Sequence, residues 1–247
     1  MDTVTESVIE HRLTELLASF GMDAQTRDML HRAGTIRTLC KGQMLFVEGN
    51  IAHRVGILVT GALKLVRTSA DGEESIARLI VAGEWYGLVS LLESRRSYPA
   101  TAVAVIPTTV IEWSTEAFIE MLTRNGTLSL GLIRQLIQVV HALQERLHDV
   151  ATQDVSHRIA RAVIQLMSQT GRRTPGGIEI GLPLRRADIA ELAGTTIYTV
   201  SRVLRHWQRC GWLRIGRTKL TVCNPAALFH SIGEQPPPTF IIAPSQR

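Results

Sequence analysis

The stretch from Arg186 to Arg205, RADIAELAGTTIYTVSRVLR, has the size pattern of two short helices crossing at a tight turn, and it leaves the chain few other ways to fold there. Ala190 stands where the helices would cross, Gly194 at the turn, and Val200 where the second helix plugs into the first. The constraint is steric. A side chain larger than methyl at Ala190 would push the helices apart, and Gly194 admits a positive φ that other residues resist. Ile189, Leu192 and Ala193 supply the apolar side of the first helix, while Val200, Val203, Leu204 and Trp207 recur at the three-and-four spacing of one face of the second. Tyr198, Ser201, Arg202 and Arg205 are then left pointing outward together. Such a stripe on a second helix suits the major groove of DNA, where the first residues of the helix touch base edges and flanking groups hold phosphates. Thr195 or Thr196 can cap that helix, since either hydroxyl can accept from the free amides of its first turn. Between Gly181 and Leu220 there are eight basic residues against two acidic, although the whole chain carries only +5. A positive patch concentrated in one small unit favours a polyanion. A hairpin whose arginines served only solubility would not need size pattern, cap, charge and outward face to coincide.

The rest of the composition narrows the alternatives. A length of 247 residues allows one large or two ordinary domains. No apolar run approaches the roughly 20 residues that span a bilayer. The N-terminus MDTVTESVIEHRLTELL lacks the positive start and apolar block of a secretory signal, so a cytoplasmic protein is expected. Cys40, Cys210 and Cys223 are scattered and odd in number, which argues against a disulfide framework and a clustered metal site. Neither a phosphate-cradling glycine loop nor a constellation of nucleophile or metal ligands is present, so an enzyme is not expected.

From about Thr35 to Trp113 the signal is of short strands: MLFVEG, VGILVTG, ALKLVRT, SIARLIV and TAVAVI, punctuated by glycines, suggest an antiparallel roll or sandwich. After Ser114 the period becomes helical. Ile133, Leu136, Val140, Leu143, Leu147 and Val150 follow one another at intervals of 3, 4, 3, 4 and 3, a narrow seam that usually finds another helix. The same helix from a second chain would give a two-fold dimer, whereas packing on the chain's own roll is the competing expectation. A further helix spans about Gln153 to Gln169. It leads to the linker TGRRTPGG, a strand pair IEIGLPL, the helical pair and then WLRIGRTKLTV, two strands that form a wing around Gly216 and Arg217. The expected domains are a sensor roll over 1–125, a dimerisation helix over 126–151, a winged helix-turn-helix over 152–234 and a disordered tail from 235. The fold class is α+β.

This order, together with SHRIARAVIQLM, LRRADIAELAGTTIYTVSRVLRHW and GEWYG followed by YPATA, resembles the Crp/Fnr family of bacterial transcription regulators over roughly residues 20 to 230. TTIYTVSR and YPATA look most like its nitrogen-oxide-responsive Nnr/Dnr branch. The resemblance implies a cyclic-nucleotide-binding-like roll, a homodimer, duplex DNA as partner and activation through RNA polymerase. In relatives of Fnr a Glu, a Ser and an Arg of the recognition helix read a TTG-containing half-site. Ser201 and Arg202 match, whereas Tyr198 replaces the Glu. Arg202 can pair bidentately with guanine and is the first choice as base reader. Arg186, Thr195, Thr196, Ile197, Arg205 and Arg217 complete the expected DNA surface, Thr196 and Arg205 suiting phosphate. On the wing, Arg214 and Lys219 would add phosphate contacts.

The family's effectors are narrowed by what is missing. Members that bind cyclic AMP have a Gly-Glu pair for the ribose and an Arg-Ser pair for the phosphate, where this chain reads Gly87-Leu88 and about Pro99-Ala100. An apolar Leu88 would leave a ribose hydroxyl unsatisfied, so an effector pocket around Gly87, Leu88, Tyr98, Ala100 and Thr101 is not expected to hold cyclic AMP. The N-terminal cysteines of an iron–sulfur cluster are absent as well. Haem sensing nitric oxide, another small effector and no effector remain open. Haem would need an axial ligand, for which His11, His31, His53 and Cys40 are the candidates. His141 and His148 share one face of the seam helix and are read as its flanks. A ligand-binding module without DNA function is the remaining alternative.

Overall fold

The chain divides into two units, residues 1–144 and 145–247. The computed structural model describes residues 3–68, 71–72, 74–91, 97–216 and 219–240, apart from the side chains of residues 3–8, 74, 89, 90, 146, 149 and 150.

In the first unit, helices α1 (Thr3–Ser19) and α2 (Ala24–Ala33) precede the strands β1 (Thr35–Leu39), β2 (Met44–Phe46), β3 (Arg54–Thr60), β4 (Ala62–Thr68), β5 (Glu74–Val81), β6 (Trp85–Tyr86), β7 (Thr101–Ala104) and β8 (Thr108–Ser114). They form two antiparallel sheets in the orders β1-β8-β3-β6 and β2-β7-β4-β5. Side chains alternate across a strand, and this sorts β3 and β8 into two cores. Val55, Ile57, Val59, Ile111 and Trp113 meet Leu13, Leu17, Leu30, Phe118, Leu128 and Leu132 from the helices. Leu58 and Val110 face Leu45, Leu63, Ile80 and Ala102 inside the roll. Burial on both faces explains why β3 reads as an unbroken apolar run rather than an alternating one. Trp113 fastens the outer layer by donating its indole N–H to the Leu30 carbonyl at 2.9 Å. Asp23 caps α2 by accepting from the Thr26 amide at 2.7 Å, and that bond holds its carboxyl below the usual range.

Helix α3 (Thr115–Arg124) leads to α4 (Gly126–Thr152), which covers the expected dimerisation helix. Leu128 and Leu132 of α4 belong to the helix-side core. Among the described residues no helix is long and apolar enough to cross a membrane.

The second unit takes the end of α4 and continues with α5 (Val155–Thr170), β9 (Gly171–Thr174), β10 (Gly177–Ile180), α6 (Arg186–Ala193), α7 (Ile197–Arg209), β11 (Leu213–Ile215), β12 (Leu220–Val222) and α8 (Pro225–Ser231). Helix α5 packs against α6, α7 and α8. Its Ile159, Val163 and Leu166 are buried as their spacing suggested. Three segments differ from the expectation drawn from the sequence. The stretch TGRRTPGG is no linker, because β9 pairs with β10 as a hairpin at the edge of a sheet ordered β11-β12-β10-β9. Of IEIGLPL only the first three residues are strand. The segment after Gln235, expected to lack structure, makes a 3-10 turn at Pro238–Phe240. There the Phe240 ring lies 6.0 Å from that of Phe229, and the Arg173 guanidinium donates to the Thr239 carbonyl. Residues 241–247 lie outside the described ones.

Candidate nucleic-acid interface

The candidate surface is built by closing everything behind it. Helix α6 ends at Gly194, whose φ of 60° and ψ of 50° are left-handed, a conformation that a Cβ disfavours. The Gly194 amide bonds back to Ala190 and Glu191, and that of Thr195 to Ala190 at 2.9 Å. Two residues later Thr196 opens α7, its Oγ1 accepting from the Thr199 amide at 3.3 Å. Of the two threonines proposed as caps, Thr196 is the one used. Ile189, Ala190 and Ala193 of α6 and Val200, Val203, Leu204 and Trp207 of α7 are buried, while Leu192 is half-buried. At the start of α6, Asp188 accepts from the Arg185 amide at 2.6 Å and from its guanidinium at 3.1 Å. This carboxylate partner raises the Arg185 pKa further.

With one face of α7 sealed, the other is free. Tyr198 is 85% exposed, Ile197, Arg202 and Arg205 are exposed, and Ser201 is half-buried. These five share one concave surface with Gln208 and Arg209. The last two were not among the expected contacts, although Arg205 and Arg209 are one turn apart and the signal was there in the spacing. Arg186 reaches across from α6, its guanidinium donating to Ser201 Oγ at 3.3 Å. Neither the Arg202 nor the Arg205 side chain forms a hydrogen bond or ion pair among the described residues, so their guanidinium donors are open to a ligand. Guanidinium donors, a phenol and a serine hydroxyl on one helical face can bond base edges and phosphate oxygens. Thr195 is half-buried at the turn and Thr196 exposed. On the wing, Arg214 is exposed, Lys219 donates to Glu179 at 3.0 Å, and Arg217 lies outside the described residues.

The seam of α4 is equally uncovered. Ile133, Leu136, Ile137, Val140 and Leu143 are 40–52% exposed and Leu147 is 72% exposed, with Leu130 prolonging the stripe by one turn. The Val150 side chain lies outside the described residues. His141 and His148 on the same helix are exposed.

Among the expected effector residues, Gly87 lies against the Arg54 carbonyl, 2.7 Å from where a Cβ would stand. Tyr98 is buried, stacked on Phe46 with centroids 4.0 Å apart, and donates to the Arg54 carbonyl at 2.9 Å. Burial raises its pKa and that of Tyr86, whose hydroxyl donates to the buried Glu112 at 3.0 Å. Tyr86 fits because Gly56 has no Cβ, which would stand 2.2 Å from the phenol oxygen. Ala100 is buried, and Thr101 accepts from the Glu48 amide at 3.0 Å. Leu88, by contrast, packs into the helix-side core, and Gly87 precedes it with a φ of 77°. Of the expected haem ligands, His11 lies 3.3 Å from Glu15 and His31 3.3 Å from Glu10, while His53 and Cys40 are exposed. Among the described residues no three His, Cys, Asp or Glu side chains stand together as metal ligands.

Residues 36–125 match the family described as cyclic nucleotide-binding domain, and residues 157–230 that described as Crp-like helix-turn-helix domain. The global nitrogen regulator of Synechococcus elongatus is 32% identical over 76% of this chain and 85% of its own. The transcriptional activator protein FnrA of Stutzerimonas stutzeri is 29% identical over 78% of each chain. The fold is also that of FixK2 from Bradyrhizobium japonicum, with a TM-score of 0.69 at 22% identity over 81% of this chain and 96% of that one. A roll of antiparallel strands, a long helix and a winged helix-turn-helix whose second helix has one open face, matched on both sides of the long helix, place this chain in the Crp/Fnr family of DNA-binding transcription regulators.

Proposed function

We propose that the protein works as a homodimer on a two-fold operator with TTG-like halves, each protomer placing the face of α7 around Arg202 in one major groove. The observation that carries this reading is the helix α7, one side sealed into its unit and the other presenting Tyr198, Ser201, Arg202 and Arg205 without internal ion pairs among the described residues. A two-fold reader needs two such helices about one DNA turn apart. The exposed stripe from Leu130 to Leu147 supports self-pairing, since covering each half-exposed aliphatic side chain contributes about 1 to 2 kcal/mol. In this reading the protein works in the cytoplasm and activates through contact with RNA polymerase.

The roll would bias the pairing of the two α4 helices, and an effector acts by binding one arrangement better than the other. In this reading the effector is not cyclic AMP. Leu88, where a ribose hydroxyl would need an acceptor, packs into the helix-side core, and the buried Glu112 carboxylate is already engaged by Tyr86 at 3.0 Å and Arg37 at 3.8 Å. Of the candidate haem ligands, His11 and His31 face glutamates, His53 and Cys40 are exposed, and none is buried. Regulation without a small effector is the second reading, favoured by the Phe46–Tyr98 stack that occupies the roll with the chain's own aromatics.

The test is a fluorescence anisotropy titration of the full chain with a duplex carrying two TTG halves and with a shuffled duplex at the same salt. The expected preference is about a thousandfold or more. Equal affinity for the two duplexes overturns the reading.

A further inference from the structure

Arg158, on the first turn of α5, is half-buried and donates to three main-chain carbonyls. Its Nε reaches Ala193 O at 3.1 Å, Nη2 reaches Gly194 O at 3.4 Å, and Nη1 reaches Gln153 O at 3.0 Å. Ala193 is the last residue of α6 and Gly194 its left-handed cap, while Gln153 directly follows the last residue of α4. These are the ends of two helices, where carbonyls lack intrahelical donors and the aligned peptide dipoles leave negative charge. At α6 the amides of Gly194 and Thr195 satisfy Ala190 and Glu191, and Arg158 takes the two carbonyls at the very end. One cation thus closes both helices. Arg161, a turn further along α5, adds to the junction through Glu145 on α4 at 3.5 Å and Glu234 at 3.1 Å.

We propose that Arg158 is a positioning residue that fixes the angle between the end of α4 and the recognition helix, and so sets the half-site spacing that the protein accepts. The inference rests on the homodimeric reading above. The chain runs from Gly194 through Thr195 into Thr196, the cap of α7, so whatever holds the Gly194 carbonyl holds the entry to the recognition helix. Leu147 of the seam lies in the same unit, six residues before Gln153. Paired α4 helices therefore hand their geometry to α7 through this guanidinium. A lysine keeps the charge and the stem, but its single ammonium cannot span carbonyls on two separate helices as a planar fork does.

The full-chain protein and its Arg158→Lys variant are titrated with duplexes whose two TTG halves are set at a series of spacings around one helical turn. The unchanged protein is expected to favour one spacing. Arg158→Lys remains dimeric, keeps its base preference within a half-site and its salt dependence, loses on the order of tenfold at the best spacing, and binds neighbouring spacings almost equally. An Arg158→Lys variant with the same sharp optimum overturns the inference. So does one that fails to fold, because the group would then hold the unit together rather than aim it. Should the unchanged protein bind no spacing at all, the homodimeric reading fails instead.

Discussion

The arginines of the second unit divide by what their donors already hold. Arg158 is spent on carbonyls, Arg185 on Asp188 and Arg186 partly on Ser201, whereas Arg202 and Arg205 make no such bond among the described residues. A guanidinium opposite guanine discriminates by about 1–3 kcal/mol per half-site through two parallel bonds. Arg202→Ala is expected to reduce the preference for TTG-like over altered halves by that amount while leaving weak, salt-sensitive binding by the remaining cations. Titration against duplexes altered only at the guanine measures it, and an unchanged preference would remove Arg202 from the reading role. Arg202 was legible in the sequence because its neighbours at three-and-four spacing were apolar and it was not. Arg158 was not legible, since nothing local distinguishes an arginine that binds carbonyls of distant residues from one that is solvated. Leu88 misled for a similar reason, as its sequence position suggests the roll interior whereas its side chain joins the helix-side core.

Elements with strong local physics could be read directly. α7 carries a cap, an amphipathic period and a small-residue crossing, and β2, β3, β4, β5 and β7 coincide with the aliphatic runs. β6 is two residues long and leaves too little pattern to find. β9, reading GRRT, is exposed throughout and shows no alternation, so its pairing with β10 came from the fold rather than from propensity. The buried Ile9, Leu13 and Leu17 of α1 recur every four residues, a signal that was present and went unused. The seam of α4 was legible as a period, but a period does not say what covers it. Leu143→Asp is expected to halve the mass measured by light scattering, because a carboxylate would be buried in the pair without a partner, while leaving the folded protomer intact since Leu143 is half-exposed there. A variant that keeps the unchanged protein's mass would show that the pairing, if any, runs elsewhere.

At the scale of the molecule, the two matched domains precede and follow one long helix along the chain, and the proposed function sets a single geometric requirement: two α7 helices held one helical turn apart. In the proposed function, roll, seam and wing act by setting that distance. Sequence alone reached the architecture because each layer has its own period, strand, seam and helical crossing. It did not reach the state of the roll interior, where Phe46, Tyr86, Tyr98 and Glu112 meet from separated strands and loops. Hydroxyl-radical footprinting of the full chain on a duplex with two TTG-like halves tests the central requirement most directly. The account predicts two protected patches on one face of the duplex with centres about 34 Å apart, both lost with Arg202→Ala. A single protected patch, or protection spread evenly along both strands, would contradict it.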